Sequence, residues 1–133
     1  TIPFLGGDGW DSATLQKLAG PEAIKGNYIS SHFSSEDKDP MVQTFVKEYT
    51  KLYKQAPGAM AALGYDAVLV LADALTRTKS MAPADIKDAI NSTTNFQGIT
   101  GNITIDKNRN AQKSAVVLET TANGFVFKQK VSP

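Results

Sequence analysis

Apolar and polar positions fall into three regimes along the chain. In the first, Ile2-Pro3-Phe4-Leu5 predicts a short buried strand, and Gly6-Gly7-Asp8-Gly9 predicts a tight turn that hands over to a helix. Asp11 or Ser12 caps that helix, whose apolar positions Leu15, Leu18 and Ala19 stop at Gly20-Pro21. Gly26 to Phe33 predicts a second strand. Strand, turn, helix, strand is a βαβ unit, which implies parallel pairing through a right-handed crossover. Ser34 to Asp39 is polar and predicts a loop.

The second regime is helical. Asp39-Pro40 combines a capping side chain with a proline at the first helical position, where no N–H is needed. Val42, Phe45, Val46, Tyr49, Leu52 and Tyr53 then recur at the spacing of one helix face. Ala56-Pro57-Gly58 breaks this helix. Met60 to Thr78 predicts another that is apolar nearly all round and therefore buried; Met60 to Leu75 is too short to span a bilayer and carries Asp66 and Asp73. Pro83 starts a third helix whose Ile86, Ala89 and Ile90 face inward, and Asn91 to Gly101 is rich in turn residues. In the third regime Ile103-Thr104-Ile105, Ala115 to Glu119 and Phe125 to Lys130 are β-rich, with Asn123-Gly124 expected to supply the positive φ angles of a tight hairpin. The order βαβ, helices, then strands is a mixed α/β pattern.

Composition narrows the function. The 133 residues carry 41% hydrophobic and 20% charged positions, enough for a core and without a disorder signature. Fourteen Lys+Arg against thirteen Asp+Glu give a net charge of +1, and the lysines are scattered among acids, which argues against a nucleic-acid partner. The absence of Cys excludes disulfides, thiolate catalysis and Cys-ligated zinc. The opening Thr1-Ile2-Pro3-Phe4-Leu5 lacks the charged region and long apolar run of a signal peptide, so any export signal is expected upstream of it.

Candidate chemistry concentrates in one loop. Gly7-Asp8-Gly9-Trp10-Asp11-Ser12 half-matches a dinucleotide fingerprint, but Ser12 replaces the third glycine, Asp8 and Trp10 occupy the approach to a pyrophosphate, and the second strand ends in Ser31-His32-Phe33 without an acid for a ribose. At the carboxyl end of a strand, Asp8 either receives an ammonium group or caps the turn, and Trp10 either walls a site or packs on the helix. His32 is the only histidine, and without a nucleophile elbow or a second base a hydrolase triad has no support. Asp106-Lys107-Asn108-Arg109-Asn110 imitates the start of a calcium loop, yet Ala111 and Val117 stand where glycine and the bidentate glutamate belong, so a polar turn is expected and no metal. Tyr49, Tyr53 and Tyr65 have core-like spacing, and Met60 either packs in the core or lines a cleft.

Phe4-Leu5-Gly6-Gly7-Asp8-Gly9-Trp10-Asp11-Ser12, Asp39-Pro40 leading into Phe45-Val46-Lys47-Glu48-Tyr49, Ala61-Ala62-Leu63-Gly64-Tyr65-Asp66-Ala67 and Phe96-Gln97-Gly98-Ile99-Thr100-Gly101 together resemble the C-terminal part of leucine/isoleucine/valine-binding periplasmic proteins. These are solute receptors of bacterial amino-acid ABC importers. The resemblance runs from Ile2 to about Val131 in the family's order. It implies a type I periplasmic-binding clamshell of two α/β lobes, to both of which this chain contributes. Residues 1–31 and 113–133 would belong to the second lobe and 32–112 to the first. Ser31-His32-Phe33 and Lys113-Ser114 would be crossings between them.

The resemblance also implies a role for each site residue. Asp8 would pair with the ligand's α-ammonium, Met60 would lie over its side chain, and Trp10 would face the cleft. It implies an aliphatic amino acid as ligand, a membrane permease as partner, no cofactor, no catalysis and a periplasmic or extracytoplasmic location, lipid-anchored in a Gram-positive cell. Members of that family are roughly two and a half times this long, and the residues that hold the ligand carboxylate precede Ile2. The chain is accordingly expected to expose edge strands and apolar faces, and to self-associate or need that N-terminal part. The competing readings are a nucleotide-binding or enzymatic half-domain, and a ligand-sensing clamshell domain of a receptor.

Overall fold

The computed structural model describes residues 2–133. Strand β1 is only Leu5–Gly6 and runs parallel to β2, Tyr28–Ser31, with Leu5 opposite Tyr28. Between them lie a single 3-10 turn at Asp8–Trp10, helix α1 at Ala13–Ala19, and a short helix α2 at Pro21–Ile24 that the sequence pattern does not announce. Ser12, not Asp11, caps α1, its Oγ accepting from the Thr14 amide at 3.1 Å. Strand β6, Ala115–Thr121, pairs antiparallel with β2, and β7, Gly124–Val131, pairs with β6, so the sheet order is β1-β2-β6-β7.

Ile29, Val116 and Leu118 form the core of this sheet, with Phe125 and Phe127 packed against it. A buried polar junction ties its parts together. Asn27 Oδ1 accepts from the Phe4 amide at 2.9 Å, its Nδ2 donates to the Ile24 carbonyl at 2.9 Å, and its backbone N–H donates to Thr120 Oγ1 at 3.2 Å. One residue, through its side chain and its backbone N–H, thereby joins the segment before β1, the end of α2 and strand β6, which sets β1 beside β2. The expectation of a buried strand at Ile2–Leu5 is not met, because Ile2 is 89% and Leu5 81% exposed. A two-residue edge strand has one neighbour, and no layer covers its outer face among the described residues.

The hairpin between β6 and β7 closes with Thr121 opposite Gly124. Only Gly124, at φ +138°, takes a positive φ there, so Asn123 does not share that role as the sequence suggested.

The second body begins with α3, Pro40–Tyr53, capped by Asp39 Oδ1 on the Met41 amide at 2.8 Å, as its sequence predicts. Helices α4, Ala59–Arg77, and α5, Pro83–Asn91, follow. Strands β3, Phe96–Gly98, β4, Gly101–Ile105, and β5, Ala111–Gln112, form an antiparallel three-stranded sheet. Strand β3 emerges from a stretch rich in turn residues; pairing with β4, rather than local propensity, holds it extended. Phe33, Val42, Phe45, Ala59, Ala62 and Ile99 make the core, with Phe33 edge-on to Phe45 at 5.9 Å.

Helix α4 corrects the expectation of an all-round buried helix. Ala59, Ala62, Asp66, Val70 and Ala74 are buried on one face, whereas Tyr65, Val68 and Leu71 are exposed on the other. Its 19 residues are also long and apolar enough to cross a membrane, contrary to the sequence expectation, yet Asp66 is committed to the β3–β4 turn. The Asp106 segment is a polar turn, as expected, with Asp106 Oδ1 accepting from the Asn108 and Asn110 amides at 2.8 Å.

The chain passes between the two sheets through residues 32–39 and again at 113–114. Two contacts fasten the first passage to β7: Glu36 Oε2 accepts from the Phe127 amide at 2.8 Å, and Asp37 pairs with Lys130 at 3.2 Å.

Candidate ligand-binding site

Because β1 and β2 are parallel neighbours, their carboxyl ends lie side by side, and the residues that follow them meet there. After Gly6 the chain closes into its 3-10 turn through the Trp10 amide on Gly7 O at 3.0 Å and the Asp11 amide on Asp8 O at 2.9 Å. This places Asp8 beyond β1, next to His32 beyond β2. Asp8 Oδ2 and His32 Nε2 are 3.1 Å apart, with side chains 52% and 37% exposed. Asp11 Oδ2 accepts from the buried Ser31 Oγ at 2.7 Å, which fastens the far end of the turn to the last residue of β2.

Trp10 folds back over Gly6. A Cβ at Gly6 would sit 2.4 Å from Trp10 Cδ2, so the indole needs a glycine beneath it and is 36% exposed. Of the sequence candidates, Asp8 and Trp10 share this loop, and Ser31 and His32 join it from β2. Met60 does not take part in these contacts; it is 66% exposed on the first turn of α4, in the other body. Phe33 belongs to the core of that body, and Lys113 and Ser114 lie between β5 and β6.

What sequence reading misses here is the pairing. Asp11, taken as a possible helix cap, instead accepts from Ser31. His32, the sole histidine and assigned only to a crossing, sits on Asp8. The available signal is positional, since both acids follow the first strand of a βαβ unit while Ser31 ends the second and His32 follows it.

A groove of about 850 Å³ lies elsewhere, between α3 and α4, lined by Met41, Phe45, Tyr49, Leu52, Tyr53 and Tyr65 among others. Those tyrosines therefore face a groove rather than a closed core. Among the described residues no group of three or more His, Asp or Glu side chains is arranged to hold a metal.

At the second passage, Lys113 Nζ donates to the Thr100 carbonyl at 3.2 Å and to its neighbour Ser114 O at 3.4 Å. Burial holds its pKa below the ordinary lysine value of 10.5, with Asp66 opposing that shift and Lys130 adding to it. The unfolded chain then binds more protons than the folded one in the interval just below 10.5, so Lys113 makes stability rise with pH across that interval. Denaturant titrations at stepped alkaline pH should show that rise diminished in Lys113→Met; an identical slope in the two proteins would refute the assignment.

Two sheets visited alternately by one chain, with a carboxylate at the ends of parallel strands, make up part of a type I periplasmic-binding fold. The profile described as Periplasmic binding protein matches residues 1–124, and the chain belongs to that family. The leucine-binding protein LivK of Thermotoga maritima is similar to it at 36% identity and TM-score 0.89, over 100% of this chain and 38% of that one. LivJ of Streptococcus pneumoniae, a branched-chain amino acid transporter substrate-binding protein solved with isoleucine, has 28% identity and TM-score 0.86 over the same shares, 100% and 38%. An ABC transporter substrate-binding protein of Desulfitobacterium hafniense in complex with Leu has 25% identity and TM-score 0.84 over 96% of this chain and 36% of that one. The chain thus spans little more than a third of the length of these structures. No curated relative matches it.

Proposed function

We propose that this chain supplies the ammonium-binding side of an extracytoplasmic receptor for an aliphatic amino acid that delivers its ligand to the permease of an ABC importer, without catalysis. The observation that carries the reading is Asp8, a half-exposed carboxylate at the carboxyl ends of β1 and β2, whose Oδ1 has no hydrogen-bond partner among the described residues. Such a group offers a primary ammonium a charge-assisted hydrogen bond that strengthens when closure removes water. The leucine and isoleucine in the names of the similar structures support an aliphatic ligand.

Residues 1–31 and 113–133 form one lobe on this reading, and 32–112 contribute to the other, with Ser31-His32-Phe33 and Lys113-Ser114 as crossings. The separation into two sheets supports this division. Met60 and Trp10 face the ligand once the lobes close, and residues outside this chain hold the α-carboxylate.

Titration calorimetry of the full-length receptor with leucine tests the reading. Truncating one partner of a desolvated charge pair costs about 2–5 kcal/mol, so Asp8→Ala should weaken binding by about thirtyfold or more. Unchanged affinity would sink the role of Asp8.

A further inference from the structure

His32 touches the carboxylate that the proposed function assigns to the ligand, and its chemistry differs from that of any other residue in the loop. Asp8 carries one occupied oxygen, Oδ2, against His32 Nε2 at 3.1 Å, and one unpartnered oxygen, Oδ1, among the described residues. The neighbouring acid, Asp11, is held by Ser31 Oγ. Glu36 and Asp37, on the segment after His32, are turned to β7, where they meet the Phe127 amide and Lys130. Asp8 is therefore the charged group in contact with the imidazole, and Asp11 is the nearest other acid in the loop.

We infer that His32 is the positioning residue for Asp8 and the proton-dependent competitor of the ligand's ammonium group. The inference rests on the proposed ammonium role of Asp8. A neutral imidazole donates from Nε2–H to Oδ2, fixes the carboxylate and leaves its charge available to the ligand at Oδ1. A protonated imidazole makes the same contact but neutralises the carboxylate, and it repels an ammonium arriving on the adjacent oxygen. Ligand binding to the protonated receptor consequently favours partial release of a proton to solvent. Amino-acid affinity rises with pH across the range in which histidine loses its charge, and a ligand without an ammonium escapes this dependence.

The test uses the full-length receptor and L-leucine, with affinity measured at about pH 5.5 and about pH 7.5, on either side of the usual histidine range. Charge coupling at a partly exposed site is modest, so the expected tightening is roughly fivefold. Calorimetry at the lower pH in buffers of different ionisation enthalpy should show proton release on binding. His32→Gln keeps a donor for Asp8 without a titrating charge; it should retain the affinity measured at the higher pH and lose both the pH slope and the proton release. His32→Leu, lacking the donor, should bind more weakly at both pH values.

A pH slope or proton release that persists in His32→Gln overturns the inference, as does a wild-type affinity that is flat across the range. The ammonium reading is judged separately by Asp8→Asn. If that variant loses affinity while His32→Gln keeps its slope, the role of His32 fails and that of Asp8 stands. If Asp8→Asn binds leucine as the wild type does, the ammonium reading itself fails.

Discussion

Asp66→Ala is expected to remove about 3 kcal/mol or more of stability. Asp66 is 2% exposed on α4. Its Oδ1 accepts from the Ile99 amide at 2.9 Å, and its Oδ2 accepts from the Thr100 amide at 2.8 Å and the Thr100 hydroxyl at 2.7 Å. These donors belong to the turn between β3 and β4, so one carboxylate fastens the three-stranded sheet to the helix layer. Alanine would leave two backbone N–H groups in the turn without their acceptor, and buried donors are almost always paired.

The fit is close enough that Gly98 has no room for a side chain. A Cβ there would lie 2.7 Å from Asp66 Oδ2 and 2.9 Å from Ile103 Cδ1. Urea unfolding should show a lower midpoint for Asp66→Ala and a smaller loss for Thr100→Val, which keeps both amide bonds and removes only the hydroxyl. A midpoint for Asp66→Ala equal to that of the wild type would show that the carboxylate does not hold this junction.

The second large effect concerns association. On its own, the 133-residue chain is expected to form oligomers or larger assemblies instead of a dispersed monomer. Two unrelated surfaces are responsible. Around β1, Ile2, Phe4, Leu5 and Leu18 stand exposed beside an edge strand with unpaired backbone groups. On the helical body, Leu52, which lines the groove between α3 and α4, is 71% exposed, and Val68 of α4 is 64% exposed.

Apolar area on this scale favours contact with any similar surface, at about 25 cal/mol per Å² removed from water. Light scattering coupled to gel filtration should report a mass above that of one chain, and Leu52→Lys with Val68→Lys should move it downward by placing charge where contact forms. A monodisperse monomer of the unmodified chain at high concentration would contradict the expectation.

How far the sequence reaches depends on how local each decision is. Helix α3 is legible almost to the residue because its cap, its N1 proline and its apolar period all lie within fifteen positions or so of one another, where helix signals act. The strand-turn-helix start is legible for the same reason, and it places Asp8 at a strand end. The partners of Asp8 and Asp66 are not legible. His32 lies 24 positions from Asp8, and Ile99 lies 33 from Asp66, so each contact exists only once strands and helices have taken their neighbours.

Burial follows the same division. The sequence of α4 marks a helix and an apolar one, but it offers apolar residues on every side and thus leaves open which face is covered. The structure selects the face of Ala62, Asp66 and Ala74, where small side chains and one carboxylate let α5 and the β3–β4 turn approach. Periodicity and capping are properties of neighbouring residues, so the chain alone determined its longer helices, its β-rich last third, its near-neutral charge and the carboxylate after its first strand. The tertiary structure decided which histidine meets that carboxylate and which aspartate is buried, because those contacts depend on the parallel register of β1 with β2 and on the packing of α4 against the β3–β4 turn, neither of which any local stretch of sequence encodes.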